Sequence, residues 1–263
     1  MIFETHAHYE DKKFDADRVE LLSTIKKKNI GKIINVGSTM ETSRESVCIS
    51  RAYEDVYAAI GVHPSEIAEM TEEDLNWLEK TAKEDDKVIA IGEIGLDYYW
   101  DKDPEIQSLQ QYWFRRQLEL ARRVDLPVII HSRDAAAPTM EILREAAKLG
   151  TRGVIHCYSY SAEQAKEYVK MGYNIGVGGV VTFKNGRKLQ ETVMEIPMEK
   201  ILLETDCPYM APEPFRGKRN DSTLIPYMVA KIAELKGITD KEVEDQTWDN
   251  ACKLFRVDAP REE

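Results

Sequence analysis

VIAIGEI, residues 88–94, is a nearly unbroken apolar run that ends at a carboxylate, Glu93. A strand of this composition is covered on both faces, as in a parallel sheet beneath helices. Seven more runs of the same kind occur along the chain. They are IFETH at 2–6, KIINVG at 32–37, VYAAIGV at 56–62, PVIIH at 127–131, GVIHC at 153–157, NIGVGG at 174–179 and KILLETD at 200–206.

Amphipathic stretches separate these runs. TEEDLNWLEKTAKED at 71–85 opens on a capping box, Thr71 with Asp74. SAEQAKEYVKMG at 161–172 pairs Ser161 with Gln164 and stops at Gly172. The longest, 104–125, has Pro104 in its first turn. Two more helices are expected around 223–236 and 240–255. Eight strands alternating with helices predict an α/β fold, a (β/α)₈ barrel, as a single domain over residues 1–263. An open doubly wound sheet is the alternative, but no G-x-G-x-x-G follows the first run. The last six residues, DAPREE, read as a frayed tail.

Composition agrees. The chain has 263 residues, usual for such a barrel, and 43% apolar residues, enough for a large core. No apolar run approaches the roughly 18 residues that span a bilayer. No basic stretch followed by an apolar one opens the chain, so no secretion signal and a cytoplasmic location are expected. Four widely spaced cysteines, Cys48, Cys157, Cys207 and Cys252, suit reduced thiols better than a disulfide frame. Cys157 and Cys207 follow candidate ligands and should face away from them as packing residues. The net charge of −11 argues against coating nucleic acid by bulk electrostatics, though not against a locally basic cleft.

Barrel active sites form at the C-terminal ends of the strands. His6 and His8 close the first run, His63 the third, Glu93 the fourth, His131 the fifth, His156 the sixth, and Glu204 with Asp206 the eighth. All five histidines of the chain therefore end strands. Each alone has a plain explanation as a rim hydrogen-bonding residue. Together they converge on one mouth, where burying them needs something positive to bind them. They exceed the needs of one zinc-type site and suit two divalent cations sharing a carboxylate and a hydroxide. One division puts His6, His8 and Asp206 on one ion, His131 and His156 on the other, and Glu93 between them. Nitrogen-rich ligands favour Zn²⁺, Mn²⁺ or Fe²⁺ over Mg²⁺.

THAH, GVHP, GEIGLDYY, IHSRDA, HCYS, ETDCPYMAP and RGKRN, in that order, resemble the TatD family of metal-dependent deoxyribonucleases in the amidohydrolase superfamily. The resemblance covers residues 1 to about 256. It implies a (β/α)₈ barrel, a binuclear site bridged by Glu93, and hydrolysis of DNA phosphodiesters, often as a 3′-to-5′ exonuclease. It leaves Mg²⁺ open as the activating ion. Two loops depart from the family: HCYSY has Tyr160 where glycine is common, and PFRGKRNDS differs at Phe215, Asp221 and Ser222. These touch the mouth and not the presumed ligands, so they bear on substrate preference.

The expected mechanism is attack on phosphorus by a metal-bridging hydroxide, with Asp206 as ligand and proton acceptor. Glu204 either orients a ligand histidine or forms a buried ion pair. His63 contacts substrate or is a rim residue fixed by Pro64, and Asp97 orients a histidine or holds a turn. Arg133 and the loop cations Arg216, Lys218 and Arg219 are the expected phosphate contacts. KNGRK, with Lys184, Arg187 and Lys188, reads as solvated surface. Tyr98, Tyr99, Trp100 and Tyr158 are candidates for stacking on unpaired bases or for packing. DNA is the expected partner, with no membrane and no protein partner implied. Two alternatives stand beside the nuclease: a hydrolase of a small amide, lactone or phosphoester on the same scaffold, and a non-catalytic interaction protein that an apparently complete ligand set argues against.

Overall fold

The apolar runs form a ring of parallel strands in the computed structural model, which describes residues 1–257. The expected tail at 258–263 lies outside the described residues. The strands are β1 (Ile2–Ala7), β2 (Ile30–Val36), β3 (Val56–Ile60), β4 (Val88–Asp97), β5 (Val128–Arg133), β6 (Gly153–Ile155), β7 (Asn174–Val177) and β8 (Ile201–Leu203). Each pairs in parallel with the next. A bridge between Ala7 and Cys207 joins the last to the first, supported by Asp206 N–H donating to His6 O at 2.9 Å. The (β/α)₈ barrel is thus the fold, as the alternation of runs predicts.

Nine helices accompany the strands among the described residues. They are α1 (Arg18–Thr24), α2 (Met40–Ala52), α3 (Glu72–Glu84), α4 (Pro104–Arg123), α5 (Ala136–Lys148), α6 (Ala162–Lys170), α7 (Arg187–Glu195), α8 (Ile225–Lys236) and α9 (Asp240–Phe255). The Thr71–Asp74 capping box forms in both directions, and Pro104 occupies the first turn of α4. Ser161 caps α6 from one side only, its hydroxyl accepting from Gln164 N–H.

The strands bury both faces because two cores lie on either side of them. Outward residues such as Ile33, Ile60, Ile91, Ile130 and Ile175 meet Leu75, Phe114, Leu118 and Leu143 of the surrounding helices. Their neighbours of opposite parity, Phe3, Ile34, Ala59, Ala90, Ile129, Val154 and Leu202, point inward and meet Trp248, Leu254 and Phe255 of α9. The last helix therefore closes the floor of the barrel. That leaves the C-terminal ends of the strands as the open mouth.

One glycine fixes how β4 meets β5. Gly95 has φ of +150°, and a Cβ there would lie 1.9 Å from the His131 carbonyl oxygen. Only glycine permits the register that brings Glu93 and His131 side by side.

Several strands end earlier than their apolar runs. The run at 56–62 leaves the ladder after Ile60, that at 153–157 after Ile155, that at 174–179 after Val177, and that at 200–206 after Leu203. Cys157 and Asp206 both take positive φ, 44° and 58°, which ends extended pairing where the chemistry begins. Conversely β4 and β5 continue past 94 and 131 by pairing with each other through Asp97 and Arg133. No helix among the described residues is long and apolar enough to cross a membrane.

Candidate metal centre and cleft

The strand ends deliver the predicted groups to one floor. His6 lies within β1 and His8 just beyond it; Glu93 and Asp97 belong to β4, His131 to β5; His156 follows β6, and Glu204 and Asp206 follow β8. His63 stands three residues past β3, where its Nδ1 accepts the Ser65 N–H and starts a short 3-10 turn. All of these except His6 and Glu204 line a cavity of about 1460 Å³.

The spacings are those of donors that can share a cation. His6 Nε2 and His8 Nε2 face each other at 3.1 Å. Asp206 Oδ1 lies 3.4 Å from His8 Nε2, 3.7 Å from His156 Nε2 and 3.9 Å from His6 Nε2. Glu93 Oε2 is 3.6 Å from His6 Nε2. Four donors on tetrahedral arms of about 2.1 Å stand roughly 3.4 Å apart. These residues fit a divalent ion of the zinc type by that measure.

Three clusters qualify on geometry: His6 with His8 and Glu93, His6 with His156 and Asp206, and His63 with Asp97 and His131. They form one continuous patch. The His6 and His156 rings stack at 3.5 Å, and His131 Nδ1 lies 2.9 Å from Glu93 Oε1. His156 closes on His6 and Asp206 as well as on Glu93, which is 3.9 Å away.

Three of the histidines, His8, His131 and His156, meet a partner through their other nitrogen, whereas His6 Nδ1 is buried without a hydrogen-bond partner. His8 Nδ1 donates to Val36 O at 2.8 Å, with Glu10 Oε1 3.3 Å away, so its Nε2 turns to the centre. Glu10 is itself held by the Asn35 side-chain amide at 2.7 Å. His131 Nε2 is 3.1 Å from Asp97 Oδ2, leaving Nδ1 toward Glu93. The Asp97 carboxylate accepts the Tyr99 and Trp100 N–H groups, while Gln110 brackets its backbone. His156 Nδ1 lies 3.1 Å from Glu204 Oε2, an ion-pair contact without hydrogen-bond alignment. Glu204 Oε1 accepts the Cys157 N–H at 2.6 Å. A Cβ at Gly176 would lie 2.4 Å from Glu204 Oε2, so glycine there makes room for the carboxylate. The buried ion-pair partner of Glu204 is thus His156.

The charge of the centre follows. Burial alone would hold His156 neutral, but Glu204 outweighs it and lifts the imidazole to about 9. Burial likewise opposes protonation of His131 and His8, and carboxylates raise both, Asp97 with Glu93 in one case and Asp206 with Glu10 in the other. His63 goes the other way, down to about 4, through burial and the neighbouring His131. Burial pushes the Glu93 carboxyl up, yet the imidazoles of His63, His131 and His6 hold it well below its usual range. The carboxylates thus draw positive charge into the mouth, which protons or cations can supply.

The substrate contacts divide. Arg133 lines the cavity, with its guanidinium 3.8 Å above the Tyr99 ring. Arg216, Lys218 and Arg219 are not among the residues that line it. Arg219 makes a bidentate pair with Asp17 at 2.6 and 2.7 Å, and Arg216 and Lys218 lie over Phe183 and Phe215. Arg187 pairs with Glu191, in keeping with a solvated KNGRK surface. Tyr158 is buried and reads as packing, and Tyr98 is partly buried against the core, whereas Tyr99 and Trp100 are exposed. Tyr160 is used as a strut, its hydroxyl bonded to Ser132 and Ala135 N–H. Cys207 is buried as expected, but Cys157 lines the cavity, because the chain has left β6 and turned through a positive φ.

Sequence reasoning missed Glu10, Asn35 and Gln110. Glu10 carried a signal, since it stands two residues after His8 in ETHAHYE. Asn35 and Gln110 act on backbone and carboxylate groups far away in sequence and carried none.

Comparison with known proteins identifies relatives of this chain. The family model described as TatD related DNase matches residues 3–256. The chain is 44% identical over 257 residues to YabD of Bacillus subtilis strain 168, an uncharacterised metal-dependent hydrolase, covering 98% of this chain and all of YabD. It is 38% identical over 208 residues to YcfH of Escherichia coli K12, another metal-dependent hydrolase, covering 79% and 77% of the two chains. The crystal structure of YjjV, a TatD homologue from E. coli K12, superposes with a TM-score of 0.91 at 32% identity and 98% coverage of both chains.

Proposed function

We propose, from the premise that this chain belongs to the TatD family of metal-dependent hydrolases, that it hydrolyses phosphodiesters of DNA, working from single-stranded or frayed ends. The observation that carries the reading is the floor itself. His6, His8, His156, Glu93 and Asp206 present donors 3.1–3.9 Å apart, at cation-sharing distances, beneath an open cleft. His6, His8, His131, His156, Glu93 and Asp206 would hold two divalent ions, Zn²⁺, Mn²⁺ or Mg²⁺. Such ions, when bound, supply an activated water and neutralise charge on phosphoryl oxygens.

The remaining work belongs to the side chains. Asp206 would take the proton from the attacking water, since its Oδ1 stands at the middle of the centre, 3.4–3.9 Å from three imidazoles. Glu93 spaces the donors by spanning His6 and His131. Glu204, Asp97 and Glu10 keep His156, His131 and His8 turned inward. Arg133 holds a phosphate oxygen, and His63, kept neutral, offers Nε2 to substrate.

A second reading has its own observation. Glu10, Asp11, Asp15, Glu41, Glu45 and Glu66 outnumber Lys12, Arg18 and Arg44 where the cleft is lined on the side of β1 to β3, and their excess charge repels a long polyanion there. That wall favours a small ester, amide or lactone. Metal-depleted protein reloaded with Mn²⁺, Zn²⁺ or Mg²⁺ decides the matter against labelled single-stranded DNA and small chromogenic esters. Release of nucleotides from DNA is expected. Turnover of the small esters with intact DNA transfers the assignment to the second reading.

A further inference from the structure

Two exposed aromatic surfaces stand on the rim, and each is tied to the centre. Trp100 is 68% exposed and Tyr99 43%, in the loop after β4. Their backbone N–H groups both donate to Asp97 Oδ1, at 3.1 and 2.9 Å, and the other oxygen of that carboxylate meets His131. Tyr209 is 47% exposed, in the loop after β8. Its N–H donates to Asp206 O at 2.9 Å, and its hydroxyl to Asp11 Oδ2 at 2.9 Å. In a ring of eight, β4 and β8 stand opposite each other, so these loops rise on opposite sides of the mouth. Trp100 and Tyr209 both line the cleft.

Each surface also carries a cation. Arg133 lies 3.8 Å from the Tyr99 ring centre and 5.6 Å from that of Trp100. Lys13 lies 4.2 Å from the Tyr209 ring centre. Neither cation makes an ion pair among the described residues. Scattered surface aromatics are ordinary and need no account. A matched pair is different when each aromatic is fixed to a centre carboxylate residue, accompanied by an uncommitted cation and placed across one cleft. A π-face beside a cation suits a nucleobase beside its phosphate.

We infer that the cleft binds one unpaired diester step of a nucleic-acid strand with its bases splayed, one on the face of Trp100, which Tyr99 meets edge-on at 87°, and the other on Tyr209. The inference rests on the phosphodiester reading of the centre and names how the strand is held: by stacking and not by sequence. A duplex cannot present two splayed bases.

Tryptophan fluorescence of the full chain tests binding without turnover. A hydrolysis-resistant phosphorothioate deoxy-oligonucleotide is expected to quench the emission, and Trp100→Phe to remove most of the change. Tyr209→Ala should weaken the oligonucleotide by about ten-fold, the scale of one stacked base. A ribo-oligonucleotide of the same sequence, titrated alongside, identifies which strand the platforms hold; quenching by neither overturns the inference. In cleavage of plain oligonucleotides, Trp100→Ala and an abasic residue beside the scissile phosphate should each raise KM about ten-fold, and together no more than either alone. Additive losses, or cleavage indifferent to both changes, overturn the platforms. Quenching that depends on Trp100 with no cleavage under any metal keeps the platforms and removes the phosphodiester activity.

Discussion

The metal floor and the basic loop at 216–219 both drew notice as candidate functional clusters, and they met opposite fates. Every floor residue stands on a strand or within three residues past its end, and the barrel brings them together. The loop cations stand on a long connection after β8, and they are spent on their own surroundings, on Asp17, Phe183 and Phe215. A strand end in a closed barrel has one place to go. A side chain on a loop can turn to any neighbour. Charge in a loop is therefore weak evidence of a site, and donors at successive strand ends are strong evidence.

The sharpest way to break this contrast is Glu93→Gln. Glu93 touches His6, His63, His131 and His156, so the whole floor depends on its charge. Cation content after desalting and hydrolytic rate should both fall by more than about 100-fold, beyond the usual cost of an outer partner. A variant that keeps its full cation content removes Glu93 from the ligand set.

Glu204→Gln should have the next largest effect, about 10- to 100-fold in cation affinity. It also carries a pH signature. In the metal-free protein Glu204 holds His156 protonated up to about 9, and a cation must displace that proton. Raising pH removes the competitor, so wild-type affinity should climb from neutral pH until about 9. Without the carboxylate the imidazole loses its main source of positive shift, and the climb should end at a lower pH. Calorimetric titrations at several pH values read this directly. Parallel curves for the two proteins would show that Glu204 supports the site only by packing.

The contrast also explains how much could be read beforehand. The barrel was legible because its strands are buried on both faces and lack polar alternation, as VIAIGEI illustrates. The donors were legible because all five histidines fall at the ends of such runs. Strand limits were less so, because Cys157 and Asp206 leave the ladder through positive φ, which their neighbours' hydropathy does not encode. Four helices, α1, α2, α5 and α7, went unpredicted. α1 is only seven residues long, and α5 and α7 lack side-chain caps. The parts that aim the histidines were mostly invisible. Asn35 and Gln110 meet their targets only once β2 lies beside β1 and α4 has folded back on β4.

The smallest effect belongs to the loop, and it sharpens the contrast from the other side. Arg219 pairs with both oxygens of Asp17, donates to Lys13 O at 2.9 Å and lies 4.7 Å from the Phe14 ring centre. The pair is about two-thirds covered, so solvent screens it only in part. Arg219→Ala should cost about 1 kcal/mol, a fall in Tm of about 2–4 °C for a chain of this size. Cation content should not change, because the nearest groups it holds belong to the turn before α1 and not to the floor. Its one route to the cleft is Lys13, whose backbone it anchors and whose ammonium lies over Tyr209. Any rise in KM for an oligonucleotide should therefore stay well below that of Arg133→Ala, which removes a cation from the cleft wall. The reverse order, with Arg219→Ala the more damaging for KM and harmless to Tm, would return the basic loop to the site.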